Sequence, residues 1–384
     1  MAVVDNAPVT DRGREWASTM EGFAGAKSDI TMAHKDSRGW VVPSEHRRSP
    51  VRARDERERD DDLRLAAGAT RSGGAGRRLV AEEPDLYRTC FERDRDRILH
   101  SSSFRRLAGK TQVFIFPDDH QRTRLTHALE VAQVATSIAR AVGLNVALTE
   151  AIAIGHDCGH GPGGHASEDA FQPYVTGGFD HASWGADVAL TPLNLCEETL
   201  DGIRNHSWSR PAPSTPEGEL VSWADRIAYV CHDFEDAVSA GIVREEDLPR
   251  IVRERCGTRR SQQLGTFIRA VIATVEAHGV IGMDAQYAEA LAAFRTFNYE
   301  AIYLRESSRQ QANAVIGMLR ALVDHFSVHA DTIPVVGTHE RAAEIDPTLA
   351  AVTYVAGMTD RYACRTAVAV VDWPIDQLPR GIDR

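Results

Sequence analysis

The sequence predicts an all-α fold. Apolar residues recur at helical spacing across long windows, most clearly residues 124–141 and 221–238, whereas extended-segment signals are few, the example being the short run at 111–116. A further observation is the run Ala151-Ile152-Ala153-Ile154, which would bury a helix on all sides. At 384 residues the chain can form one large domain or two ordinary ones, with ample length for a buried core.

Taken in order, residues 1–80 read as a disordered or poorly ordered extension. Residues 47–62 alternate basic and acidic side chains with almost nothing to bury, a solvated helix at 55–64 being the alternative, and a Gly-rich patch at 71–77 delays the fold. The folded domain spans 81–384 and ends in a helical extension. Residues 87–100 place Phe91, Ile98 and Leu99 at helix-compatible spacing amid dense charge. Ser101, Ser102 and Ser103 offer hydroxyls to cap the next helix, in which Phe104 and Leu107 face inward while Arg105 and Arg106 project. The extended piece at 111–116 is ended by Pro117. The helix at 124–141 turns Leu125, Leu129, Ala132, Ala135, Ala139 and Val142 inward and stops at Gly143. Thr149 and Glu150 open the helix containing the 151–154 run. In the helix at 221–238, Val221, Ala224, Ala228 and Cys231 share one side, and Asp225, Tyr229, His232 and Asp236 make a polar face. Residues 211–216, rich in Pro, form a loop, and further helices are predicted at 264–278, 287–304, 312–326 and 349–364.

Composition narrows the function classes. The net charge of −11 argues against broad nucleic-acid coating, so any phosphate must be met by a local cluster of Arg, Lys, His or metal. The six cysteines are widely spaced and contain no C-x-x-C pair, which suggests neither a zinc knuckle nor a disulfide framework. No apolar run approaches the roughly 18–20 residues needed to span a bilayer, and the N-terminus lacks the apolar stretch of a signal peptide. A cytoplasmic protein is expected.

Chemistry concentrates at residues 154–169, I-G-H-D-C-G-H-G-P-G-G-H-A-S-E-D. His156, Asp157, His160, His165 and Glu168 fall within this stretch, and each can ligate a metal or move a proton near neutral pH. The apolar run places His156 and Asp157 at the end of a core helix, and the glycines with Pro162 forbid a long helix after them. Adjacent His and Asp side chains can meet one ion if other helices bring further ligands, and His127 and Asp225 are suitably placed. Two imidazoles and two carboxylates form a mixed N/O set that suits Mn²⁺, Fe²⁺, Zn²⁺, Co²⁺ or Mg²⁺ and leaves positions open for water and substrate oxygens.

This arrangement resembles the HD phosphohydrolase superfamily, whose signature is H…HD…D on helices around a divalent metal. More closely it resembles the deoxynucleoside triphosphate triphosphohydrolases of the dGTPase family. The likeness covers roughly residues 85–365 and is carried by H-D-C-G-H-G-P-G-G-H at 156–165, F-R-R-L at 104–107, R-L-T-H-A-L-E-V at 124–131, A-D-R-I-A-Y at 224–229 and A-G-M-T-D-R-Y at 356–362. It implies the HD-type helical fold, with few short strands, and a homo-oligomer. It also implies His127, His156, Asp157 and Asp225 as metal ligands. His160, His165 and Glu168 would hold the α-phosphate and protonate the leaving O5′, with the acid steering an imidazole. His181 matches a further histidine near the phosphate, although the family's Asn and Gln-Ser pair after it are replaced here by Ala-Ser-Trp-Gly-Ala.

Substrate groups follow from the same likeness. Arg124 could reach a phosphate beside the metal, or instead pair with Glu130 or another carboxylate. Gln112 occupies a position near the sugar. Tyr229 and Asp233 match groups that close on deoxyribose, with Tyr229 leaving no room for a 2′-hydroxyl. His206 and Trp208 could line the pocket, and Lys110 reads by default as an exposed lysine. The implied activity is hydrolysis of a dNTP to deoxynucleoside and inorganic triphosphate. The alternatives are an HD-type 5′-nucleotidase, a cyclic-nucleotide or guanosine tetraphosphate hydrolase, or a nucleotide-sensing assembly protein, and the intact ligand set counts against the last.

Overall fold

The computed structural model describes residues 10–20, 22–24, 29–37, 51–334 and 346–381. It divides into two units, Met1–Arg52 and Ala53–Arg384. Much of the extension expected to be poorly ordered, residues 1–9, 21, 25–28 and 38–50, lies outside the described residues. Within the first unit, α1 (Asp11–Ser18) is capped by Thr10, whose side chain accepts from the Gly13 N–H, and β1 (Phe23–Ala24) pairs antiparallel with β2 (Thr31–Met32).

The second unit starts with α2 (Arg54–Arg64), the solvated-helix alternative of the sequence. It buries no residue, and ion pairs fix it, including Arg57 with Glu92 at 2.5 Å. A capping box of Thr89 and Glu92 opens α3 (Cys90–His100), and Ser101 caps α4 (Ser102–Arg106) by accepting from the Phe104 N–H. The central pair is α5 (Arg124–Val142), closed by Gly143 at φ 72°, and α6 (Val146–Gly155), capped by Asn145. Short helices α7 (His165–Phe171), α8 (His181–Trp184) and α9 (Glu197–Arg204) precede the long α10 (Pro216–Ser239). Then come α11 (Arg250–Cys256), α12 (Arg260–His278), α13 (Ala285–Asn298) and α14 (Glu306–Val328), and α15 (Pro347–Ala356) and α16 (Asp360–Val371) close the fold.

Two apolar cores hold these helices. In the larger, Ala128, Val131 and Ala135 of α5 pack with Ile152 of α6, Val221 and Ile227 of α10, Phe267 of α12 and Phe294 of α13. In the smaller, Phe171 of α7 packs with Val315, Leu319 and Leu322 of α14, Val352 of α15 and Ala363 of α16. The histidine-rich turn at 156–165 links the two, because α6 enters it from the first core and α7 leaves it into the second.

Three expectations change. Residues 111–116 form bends with one isolated bridge, Thr111 to Thr123, and no strand, because Phe116 turns to φ 51° and Pro117 follows. Leu129 is 47% exposed, whereas Ala132, Ala135 and Ala139 of the predicted face of α5 are buried, and the buried surface extends on the side of Ala128, Val131 and Ile138. The helix expected at 349–364 is two, broken at Gly357-Met358-Thr359, and the break lets Asp360 point back toward the turn at 163.

Asp94 on α3 ties an irregular segment to this frame. Its carboxylate accepts from Arg78 at 2.6 Å, Thr199 at 2.7 Å and the Cys196 N–H at 2.8 Å, and the Arg78 and Asp94 side chains are at most 1% exposed. Truncating one partner of such a pair strands the other charge in the core, so Asp94→Ala should cost about 3–5 kcal/mol. Urea denaturation of wild type and variant measures the loss, and a change below about 1 kcal/mol would refute the role.

Candidate active site

The predicted metal-ligand residues lie on, or directly after, helices that build the larger core. His127 stands on the first turn of α5, His156 caps the C-terminus of α6 with Asp157 next to it, and Asp225 lies mid-way along α10. Their donor atoms converge. Asp225 Oδ1 is 3.0 Å from His127 Nε2 and 3.7 Å from His156 Nε2, and Asp157 Oδ2 is 3.5 Å from His156 Nε2 and 3.9 Å from His127 Nε2.

His127, His156 and Asp225 offer donors within 4.8 Å of one another, a spacing that a divalent ion can bridge, and Asp157 adjoins them through His156. Metal–donor bonds of about 2.0–2.2 Å put neighbouring donors roughly 3 Å apart. His156 Nδ1 donates to the Ala153 carbonyl at 2.6 Å, which fixes the tautomer with the Nε2 lone pair facing the cluster, and that buried Nε2 has no hydrogen-bond partner. Burial alone would raise the Asp157 and Asp225 carboxyls, but Arg124, His156 and His160 around Asp157 and the bond from His127 to Asp225 hold both below the usual range. Burial likewise opposes charge on His127, and the bond to Asp225 overcomes it and raises that imidazole.

A second cluster gathers the predicted catalytic residues. Glu168 Oε1, on the first turn of α7, is 3.0 Å from His165 Nδ1, 2.8 Å from His181 Nδ1 and 3.7 Å from His160 Nδ1. The His160 and His181 rings stack with centroids 3.8 Å apart, and His160 Nε2 lies 3.2 Å from Asp157 Oδ1, which joins the two clusters. Glu168 is held far below the usual carboxylate range: burial works against this, and the bonds from His165 and His181 outweigh it. His181 is raised by Glu168 despite its burial. The four are unequal in access, since His160 is buried and the His165 side chain is 76% exposed.

A cavity of about 380 Å³ opens beside both clusters, and Gln112, Arg124, Tyr229 and Asp233 all line it. Arg124 takes the carboxylate alternative, with Asp157 as the partner: its Nη1 donates to Oδ2 at 2.8 Å, while Glu130 is engaged by Arg122 and His232. Tyr229 accepts at its hydroxyl from Arg295 Nε at 3.0 Å. Asp233 accepts from the Tyr303 hydroxyl at one oxygen, and its buried Oδ1 has no partner, as does Gln112 Oε1. Both orphan acceptors therefore await donors from whatever fills the cavity.

Some site residues escaped the sequence reading. Arg295, Tyr299 and Tyr303 come from α13 and the turn after it, where the sequence shows only amphipathic spacing. Arg226 had a signal in its place directly after Asp225, and its guanidinium lies 3.4 Å over the half-exposed Trp208 ring. His206, left open above, is buried against the first cluster, its centroid 4.9 Å from that of His156. Lys110 is 3% exposed, contrary to the default: it donates to the Ala356 carbonyl at 2.9 Å and to the His160 carbonyl, and burial pushes its ammonium down to about 7.

Comparison with known proteins agrees with this geometry. The HD domain family matches residues 124–230, and the phosphohydrolase-associated domain matches residues 281–368. A deoxyguanosinetriphosphate triphosphohydrolase-like protein of Caldanaerobacter subterraneus is 41% identical over 307 residues, covering 78% of this chain and 90% of its own. One from Clostridium perfringens is 40% identical over 298 residues, covering 73% and 86%. A solved phosphohydrolase of Bacteroides thetaiotaomicron shares 17% identity, covers 71% of this chain and 67% of its own, and superposes at a TM-score of 0.44.

Burial raises the Asp233 carboxyl from 3.8 to about 7, because a charged group there loses water and gains one hydroxyl. The folded state therefore binds a proton that the unfolded chain has released, and its stabilisation, complete below about pH 4, is lost as pH rises toward 7. In metal-free protein Asp233→Asn should match wild type at pH 4 and be more stable by a few kcal/mol at pH 8. Thermal melts at both pH values test this, and a difference independent of pH would contradict it.

Proposed function

We propose that this chain, which belongs to the deoxyguanosinetriphosphate triphosphohydrolase-like family of HD-domain phosphohydrolases, hydrolyses a deoxynucleoside triphosphate between O5′ and the α-phosphorus. The products are a deoxynucleoside and inorganic triphosphate. The observation that carries this reading is the pair of adjoining clusters on one cavity wall: a four-donor N/O set built for a divalent ion, and a carboxylate-oriented histidine group that joins it through Asp157.

His127, His156, Asp157 and Asp225 would hold the ion, of which Mg, Mn, Fe, Co and Zn all suit the donors. Bound there, it supplies a water of lowered pKa and polarises a phosphoryl oxygen. The protein's residues do the rest. Glu168 fixes the His165 ring by accepting at Nδ1, so Nε2 serves the cavity and can deliver a proton to the departing O5′. His160 and His181, stacked beside it, offer imidazoles to the α-phosphate, and Arg124, held on Asp157, adds a fixed positive charge.

The far end of the cavity suits a deoxyribose. Asp233 Oδ1 and Gln112 Oε1 are buried acceptors for a sugar hydroxyl, and Tyr229, one helical turn from both Asp225 and Asp233, lines the same cavity. A ribose would press its 2′-hydroxyl against the Tyr229 ring without a partner. The chain is expected to act in the cytoplasm as a homo-oligomer, and no described helix is long and apolar enough to cross a membrane.

Incubation with each of the four dNTPs and each candidate metal, followed by chromatography of the products, tests the reading. Deoxynucleoside with intact triphosphate is expected, and release of orthophosphate or pyrophosphate would favour another phosphohydrolase chemistry. His165→Ala should keep its metal by elemental analysis and lose about 100-fold to 10,000-fold in kcat, the usual contribution of general acid catalysis. Parallel loss of metal and rate would instead make His165 a ligand.

A further inference from the structure

We propose that Asp360, on the C-terminal helix α16, is a positioning residue that holds the histidine turn of the catalytic region in its working geometry. The kinetic part of this inference rests on the hydrolase reading above. Asp360 is 6% exposed and spends both carboxylate oxygens across the sequence gap: Oδ1 accepts the Gly163 N–H at 2.9 Å and Oδ2 accepts the Thr111 hydroxyl at 2.6 Å. Gly163 lies two residues before His165 and three after His160. Thr111 precedes Gln112 in the cavity wall.

Other contacts lock the same turn from the same side. Lys110 bridges the His160 carbonyl to the Ala356 carbonyl at the end of α15. Gly163 stands at φ 75°, and a Cβ there would come within 2.6 Å of Val315 on α14, so only glycine lets the turn lie this close to the C-terminal helices. Gly109 meets Thr359 in the same way, at 2.9 Å from a built Cβ. The turn between His160 and His165 has no regular helix of its own, and these groups, among them Val315, Ala356 and Asp360 on helices beyond residue 305, supply the order it lacks.

Asp360 touches neither cavity nor cluster, so its effect must pass through Gly163 and Thr111. Misplacing reacting groups by about 1 Å can cost roughly 100-fold in rate without changing what the site binds. Asp360→Ala is therefore expected to lower kcat about 10-fold to 100-fold, with KM for the dNTP within about threefold of wild type and metal content unchanged. Asp360→Asn, which keeps an acceptor for the Gly163 N–H, should recover most of the rate.

The deciding experiment pairs these kinetics with amide hydrogen exchange read by mass spectrometry. Faster exchange in peptides covering residues 157–166 and 109–116 of Asp360→Ala, with α5 and α10 unchanged, supports the proposal. A folded Asp360→Ala with wild-type kcat, or with unchanged exchange in the turn, overturns it. Should Asp360→Ala fail to fold, Thr111→Val with Thr111→Ser as the rescue gives the same reading from the other end of the contact, and equal rates for both would overturn it. If wild type hydrolyses no dNTP, the hydrolase reading fails, and the exchange data alone decide whether Asp360 orders the turn.

Discussion

A single buried carboxylate, Asp157, constrains everything around it. Removing an ionised carboxylate from water is costly unless positive charge and hydrogen bonds replace the solvent. Here Arg124 bonds one oxygen, His160 the other, and His156 and His127 lie within 4 Å. The cost dictates the architecture. α5 brings Arg124 and His127 to that point, the end of α6 brings His156 and the turn after it His160, and α5 and α6 are both anchored in the larger core by buried apolar residues.

The second consequence is a division of labour among histidines. Those whose Nδ1 is fixed by a backbone carbonyl, His156 and His206, are buried and present Nε2 toward the first cluster or its rim. Burial and neighbouring imidazoles push His206 down to about 4, which keeps it neutral at physiological pH. Two others share Glu168: the carboxylate orients both His165 and His181, and it raises the His181 imidazole despite the burial of that ring. One residue type thus takes different settings according to its partner at Nδ1.

Much of this was legible in the sequence, and the limits have physical causes. His127, His156, Asp157 and Asp225 could be singled out because they match the H…HD…D pattern of the family the sequence resembles, and 3.6-residue periodicity reveals the helices that carry His127 and Asp225. The turn at 159–165 announced itself through glycines that a helix rejects. What stayed hidden depends on tertiary contact. Asp360 and Lys110 look like ordinary surface charges until the break at 357–359 swings α16 back and buries both. Arg295 and Tyr303 reach the cavity from helices whose own pattern reports only which face meets the core. The bends at 111–116 show the reverse error, since the β-branched Thr111, Val113 and Ile115 line the cavity, Phe114 joins the core, and none of them is in a sheet.

In the proposed reaction water attacks the α-phosphorus at the metal-ligand cluster while the histidine group releases O5′. Hydrolysis of the preferred dNTP in ¹⁸O-enriched water, with both products weighed by mass spectrometry, reads out which bond is cut. One ¹⁸O atom is expected in the inorganic triphosphate and none in the deoxynucleoside. Label in the deoxynucleoside 5′-hydroxyl, or in a released monophosphate, would contradict it.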